Sequence, residues 1–148
     1  MPLTSEQITH FKTHGYTVVP NFFTPREVQA MQAEVERFKR DGLGRNVATD
    51  GDGETHSDTK TNYQVIPLND KSHLIRALPF EKRVTDAVSG LIGDPFILHL
   101  DQLFLKPGGR GVGTGWHQDN AYFKIADPLK GTAMWVAIHD ATIANGTI

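Results

Sequence analysis

The order in which patterns appear constrains this chain more than any single motif. Helical periodicities lie before residue 93, and from residue 96 onward the texture is that of strands joined by Gly- and Pro-rich turns. Helices followed by strands, with turns instead of crossover helices, predict an α+β fold with an antiparallel sheet rather than a βαβ fold. A helix is expected over residues 4–14, because Thr4 and Gln7 stand at capping-box spacing, Ile8 and Phe11 start an apolar face, and Gly15 ends it. Tyr16-Thr17-Val18-Val19 is β-branched and aromatic, so a strand should follow. In Thr24-Pro25-Arg26-Glu27, Thr24 can cap, Pro25 suits the first helical position and Glu27 closes the box. Val28, Met31, Val35 and Phe38 then carry a helix over 25–41 to a stop at Gly42. A third helix is expected over 79–92, with Val84, Val88, Leu91 and Ile92 on its apolar side and Gly93 beyond it.

Residues 42–62 are polar and Gly-rich with little to bury, which fits either a disordered loop or a lid over a substrate. Tyr63 to Leu68 reads as a strand. Phe96 to Leu105 reads as another, ended by Lys106-Pro107-Gly108-Gly109, and Trp116 to Phe123 as a strand or strand edge after a glycine-laden turn. Thr132 to Ile138 has almost no polar group and should be a strand covered on both faces; Asn145-Gly146 signals a hairpin turn. A returning strand should start at Ile148, so an open apolar edge prone to self-association is expected. On this reading residues 1–148 are the front portion of a single longer domain.

Composition narrows the function classes. Fifteen Lys and Arg against seventeen Asp and Glu leave a net charge of −2, which gives no electrostatic reason to expect nucleic acid or an anionic membrane as partner. No run approaches the roughly 18 apolar residues of a membrane span. The start, MPLTSEQITHFKTHG, lacks the basic-then-apolar order of a secretory signal. Without cysteine there is no disulfide, thiolate metal site or Cys nucleophile. A soluble cytoplasmic protein is the expectation.

Random placement of seven His and eleven Asp gives about half a His-x-Asp, yet the chain has three: His56-Ser57-Asp58, His99-Leu100-Asp101 and His117-Gln118-Asp119. The spacing has a chemical use, since residues i and i+2 of a strand face one side and can offer an imidazole and a carboxylate to one metal. Two His and one carboxylate on one face of Fe(II) leave three positions open for co-substrate and dioxygen. His56 and Asp58 read as a solvated pair in the polar loop, and His99 as a buried histidine paired to Asp101. His117 and Asp119 follow a flexible glycine run and precede aromatic residues, where a ligand pair could meet a small molecule.

The segment from Lys106-Pro107 through Trp116-His117-Gln118-Asp119-Asn120-Ala121-Tyr122-Phe123, Pro128-Leu129 and Trp135-Val136-Ala137-Ile138-His139-Asp140 to Asn145-Gly146 resembles the phytanoyl-CoA dioxygenase family. The front resembles it too, through Gly15-Tyr16-Thr17-Val18-Val19 and Phe22-Phe23-Thr24-Pro25-Arg26-Glu27-Val28. The resemblance implies a double-stranded β-helix (jelly-roll, cupin-like) core with N-terminal helices, and Fe(II), 2-oxoglutarate and O₂ as cofactor and co-substrates. It implies that His117 and Asp119 are iron ligands, that Gln118 touches 2-oxoglutarate, and that Trp135 and Gln102 line the co-substrate pocket. Trp135 reads equally as a core tryptophan. The substrate implied is a small molecule, hydroxylated at an unactivated C–H bond.

The family's halogenating relatives replace the carboxylate by a small residue; Asp119 is present, so hydroxylation fits better. Its second histidine ligand follows the Asn-Gly turn in a Pro-Gly-Ser/Thr-His segment, and an arginine that grips 2-oxoglutarate comes later still. Neither occurs in these 148 residues, and His139 does not stand at a ligand position. The 148-residue chain alone is therefore expected to be inactive. A non-catalytic jelly-roll binding module is the competing reading. A metal-dependent hydrolase is disfavoured, since there is no His-Glu-x-x-His.

Overall fold

The computed structural model describes residues 3–52 and 54–147, so Ile148 and its expected returning strand lie outside the described residues. Helix α1 spans Ser5–His14, with Thr4 and Gln7 capping each other reciprocally and Gly15 turning left-handed at φ 81° to end it. Helix α2 spans Pro25–Arg40 behind the Thr24–Glu27 box and buries Met31, Val35 and Phe38, as the spacing requires. Its C-cap is Asp41, one residue before the expected Gly42.

The expected helix over 79–92 is divided. Helix α3 (His73–Ala77), capped by Ser72, runs into a 3₁₀ turn at Leu78–Phe80. Glu81 is extended (ψ 140°), and helix α4 (Lys82–Ile92) starts only after it. Pro79, which has no N–H to give a preceding carbonyl, sits at the start of the 3₁₀ turn rather than inside a helix. Tyr16–Val19 is not a strand. It packs against α1 without regular structure, where the Gln7 amide donates to the Val18 carbonyl (3.2 Å) and His10 Nδ1 meets the Tyr16 carbonyl (2.8 Å).

Three short strands form one antiparallel sheet in the order β1 (Arg45–Asn46), β2 (Tyr63–Val65), β3 (Leu103–Leu105). Arg45 opposes Gln64, and Gln64 opposes Phe104. Val65 faces the helices and joins Phe38, Leu68 and Ile75 in the core, with Leu43, Leu78 and Leu103 packed around them. Full burial of such side chains stabilises the fold by about 1.5–3 kcal/mol each. By the period-two alternation of strands, Gln64 and Phe104 lie on the face turned away from this core. That orientation leaves Phe104 46% exposed.

The polar stretch 42–62 is not a disordered loop in its described part, but a ribbon folded on itself. The Asn46 side chain accepts from the Ala48 and Asn62 N–H groups and donates to the Ser57 and Lys60 carbonyls. Thr49 bridges His56, and Ala48, Ser57 and Asn62 are buried. One asparagine satisfying four backbone groups replaces the apolar burial that the stretch lacks.

Three further strand expectations fail, because a strand needs a ladder partner. Of Phe96–Leu105 only Leu103–Leu105 is paired. Residues 116–119 are irregular and enter a one-turn helix, α5 (Asn120–Phe123). Thr132–Ile138 has no regular structure, and Trp135 is 69% exposed instead of covered on both faces. Its end is pinned by Gln32 of α2, which donates to the Ile138 carbonyl at 2.8 Å. Asn145-Gly146 does turn the chain, as a 3₁₀ turn at Ile143–Asn145 capped by Thr142, and the expected hairpin's returning strand lies outside the described residues.

Candidate metal centre

The glycine run preceding His117 is anchored at its start. Thr61 donates to the Arg110 carbonyl (2.9 Å) and accepts from Val112 N–H (3.3 Å), while Gly111 N–H closes a turn on the Pro107 carbonyl. A Cβ on Gly111 would lie 2.7 Å from that carbonyl oxygen, so only glycine fits there. Beyond His117 the chain enters α5, and the Asp119 carbonyl accepts from Tyr122 and Phe123 N–H. The Asn120 side chain closes the far end by donating to the Ile125 carbonyl and accepting from its N–H. His117 and Asp119 thus share a side through a turn into a helix, not through the strand expected of the sequence.

His117 Nε2 stands 3.3 Å from Asp119 Oδ1, and His117 Nδ1 is 2.7 Å from the Gly115 carbonyl oxygen. A carbonyl only accepts, so Nδ1 carries the hydrogen and a neutral ring turns the lone pair of Nε2 toward the carboxylate. Two lone pairs do not attract; the approach is favourable when a cation, proton or metal, lies between them. Two donors at right angles, each about 2.1 Å from one metal, are about 3 Å apart. The observed separation matches that bite, and the Gly115 carbonyl is the kind of outer partner that orients a ligating imidazole. The Tyr122 ring meets the imidazole edge-on, with centroids 5.9 Å apart.

The pair is open to solvent, with 40% and 57% of the two side chains exposed. Among the described residues no third His, Asp or Glu joins it. His139 instead lies close enough to Glu36 of α2 to help hold that carboxyl below its usual range, a smaller effect than the hydrogen bond from Lys39. The Gln118 side chain is exposed, and its carbonyl accepts from Ala121 N–H. Gln102 lies beside β3 and accepts through Oε1 from the Gln64 amide at 2.8 Å. No hydrogen bond joins Gln102 or Trp135 to the His117–Asp119 pair among the described residues. Two surface hollows lie elsewhere, one over the start of α2 from Asn21 to Gln32 and one along α1.

The other two His-x-Asp pairs separate clearly. His56 is in the folded ribbon. His99, expected buried on Asp101, is exposed and meets the Phe123 ring at 5.2 Å, while Asp101 Oδ1 accepts the Leu68 N–H at 3.0 Å. The Gly115 carbonyl and the Tyr122 ring both meet His117, and the pattern reading gave neither a role. The second had a signal, an aromatic five residues past the histidine; the first had none, because backbone carbonyls leave no trace in a sequence.

The family described as Phytanoyl-CoA dioxygenase (PhyH) matches residues 11–148. Ectoine dioxygenase of Stutzerimonas stutzeri (strain A1501) is 27% identical over 132 residues, covering 86% of this chain and 41% of the relative. A probable alpha-ketoglutarate-dependent hypophosphite dioxygenase of Stutzerimonas stutzeri is 28% identical, covering 80% and 42%. Phytanoyl-CoA dioxygenase 1 of Oryza sativa subsp. japonica is 28% identical, covering 99% and 63%. The chain spans about half the length of the curated relatives it matches. No solved structure matches significantly.

Proposed function

The chain belongs to the phytanoyl-CoA dioxygenase family, and from that premise we propose that it is the N-terminal portion of an Fe(II)- and 2-oxoglutarate-dependent dioxygenase hydroxylating an unactivated C–H bond of a small organic substrate. The observation that carries this reading is the convergence of His117 Nε2 and Asp119 Oδ1 at 3.3 Å, with Nδ1 committed to a backbone carbonyl. These two groups would hold the iron. The chemistry that iron, 2-oxoglutarate and O₂ would supply there is oxidation of the substrate coupled to conversion of the co-substrate into succinate and CO₂.

The chain's own residues set the geometry. The Gly115 carbonyl fixes the tautomer and plane of His117, the Tyr122 edge limits its swing, and the entry into α5 holds Asp119. The presence of Asp119 favours hydroxylation over halogenation, because its carboxylate would take the position that a halide would need. Gln118, Trp135 and Gln102 are proposed as co-substrate contacts. The three-stranded sheet fits one side of a double-stranded β-helix. Helices cover its Val65 face, and the face bearing Gln64, Gln102 and Phe104 is free to be the inner one.

The test is an anaerobic Fe(II) titration of the full-length protein followed by an assay of 2-oxoglutarate-dependent succinate release. His117→Ala and Asp119→Ala should each abolish turnover, and turnover retained by His117→Ala would overturn the assignment.

A further inference from the structure

We propose that Arg45 and Gln64 are positioning residues that turn the side-chain amide of Gln102 so that its NH₂ group points outward, as a hydrogen-bond donor to the carboxylate of the oxo-acid co-substrate. The inference rests on the reading of Gln102 as a wall of the co-substrate pocket and adds what fixes its polarity.

Arg45 is the one residue in the chain of contacts whose polarity is fixed. Arginine has five N–H donors and no acceptor. Arg45 places Nε at 3.3 Å and Nη2 at 2.9 Å from one atom of Gln64, so that atom is the amide oxygen, not the nitrogen. The NH₂ of Gln64 therefore points the other way, toward Gln102 at 2.8 Å, and the atom it meets has to be the Gln102 oxygen. With its oxygen turned toward the relay, Gln102 directs its NH₂ group the other way, and that nitrogen makes no hydrogen bond among the described residues. The register makes this possible. Arg45 opposes Gln64 across β1 and β2, and Gln102 lies diagonally across from Gln64 on the sheet face turned away from the core. An outward donor with a guanidinium two residues behind it suits an anionic acceptor, and an amide free to rotate would not discriminate between donor and acceptor.

The experiment inverts the relay without breaking it. Gln64→Glu keeps a partner for Arg45 but has no N–H for Gln102, whose NH₂ must then turn inward and leave its oxygen facing out. Arg45→Glu does the same from the other end, by turning Gln64 around. Arg45→Lys keeps a donor in place. In calorimetric titrations of the full-length protein with 2-oxoglutarate and a redox-silent divalent ion, Gln102→Leu, Gln64→Glu and Arg45→Glu should each weaken binding by about tenfold. Arg45→Lys should stay within about threefold of the parent. In steady-state assays the loss should appear in KM for 2-oxoglutarate with kcat near the parent value. A purely structural role predicts the opposite for Gln64→Glu, since its ion pair with Arg45 would be stronger. Should that variant fail to fold, Arg45→Glu carries the same inversion. Weak binding by Gln102→Leu with parent-like binding by both inverted variants would overturn the relay alone. Parent-like binding by Gln102→Leu would remove Gln102 from the pocket, and the proposal with it.

Discussion

Glu27 and Arg83 bind the first turn of α2 to α4 through one shared carboxylate. Glu27 Oε2 accepts from the Thr24 N–H at 2.7 Å and hydroxyl at 2.8 Å, which closes the helix cap, and from Arg83 Nη1 at 3.0 Å. The guanidinium also donates to the Phe22 carbonyl, pairs with Glu81 and lies 4.7 Å over the Phe23 ring. The residue that starts α2 is thus the same one that docks it. Hydrogen bonds from Arg83 first, then from Thr24, hold the Glu27 carboxyl down at about 2, against an ordinary 4.5.

A pH dependence follows. As the pH falls, the unfolded chain takes up a proton at this position before the folded one does. The stabilisation from Glu27 is whole above about 4.5 and is lost between there and about 2. Asp52, held at about 2 by Thr55 and neighbouring N–H groups, acts in the same direction. Urea unfolding followed by circular dichroism should show the midpoint dropping across this window. Glu27→Gln should lower the neutral-pH midpoint and flatten the acid limb. An unchanged limb in that variant would show that the pairing contributes nothing to acid stability.

Phe38 and Trp135 should differ sharply on truncation. Phe38 is fully buried among Val65, Leu68 and Ile75, so Phe38→Ala should cost about 3–5 kcal/mol. Trp135 is 69% exposed, and Trp135→Ala in this chain should change stability by no more than about 0.5 kcal/mol. Chemical denaturation of the two variants measures both, and comparable losses would mean that the tryptophan belongs to a core.

The contrast shows which features were legible in the sequence. Helices α1 and α2 were readable to within a residue because each is encoded locally, by a capping pair and an apolar spacing that act whatever the chain does elsewhere. Strand texture at Tyr16–Val19 and Thr132–Ile138 was misleading because pairing is a property of two segments, and neither finds a partner among the described residues. Asn46 ordered the polar ribbon through its four side-chain hydrogen bonds, which no hydropathy pattern reports. At the candidate metal centre, spacing alone offered three His-x-Asp pairs, and the residues around them and the family resemblance pointed to His117 and Asp119. Only coordinates reveal that a turn into α5, with Gly115 behind the ring, brings them together.

Metal affinity separates the pair from the complete centre. The 148-residue polypeptide carries His117 and Asp119 but no third ligand among its described residues, and no Pro-Gly-x-His in its sequence. Two protein donors should bind Fe(II) or Co(II) weakly, because two ligands hold a metal far less firmly than a closed set. An anaerobic titration should show this binding lost in both His117→Ala and Asp119→Ala, and kept in His139→Ala. Succinate release by this polypeptide should be undetectable, and turnover matching that of a full-length relative would contradict the two-ligand account.

Self-association is the last expectation, and it follows from where apolar surface lies. Ile97 (84%), Trp116 (98%), Leu129 (87%) and Ile143 (94%) are exposed, all in the second half of the chain. The core of buried apolar residues draws instead on residues 31–87. Strands β1 and β3 are also the outer strands of a sheet of three, each with one row of backbone groups unpaired within the sheet. Exposed apolar side chains favour burial between copies, and open strand edges favour strand addition. Light scattering on the 148-residue polypeptide should therefore give a mass that rises with concentration. Replacing Trp116 and Ile143 together by lysine should lower that mass while leaving the urea midpoint nearly unchanged, since neither side chain supports the core. A monodisperse monomer for the parent at every concentration would show that this surface is solvated as it stands.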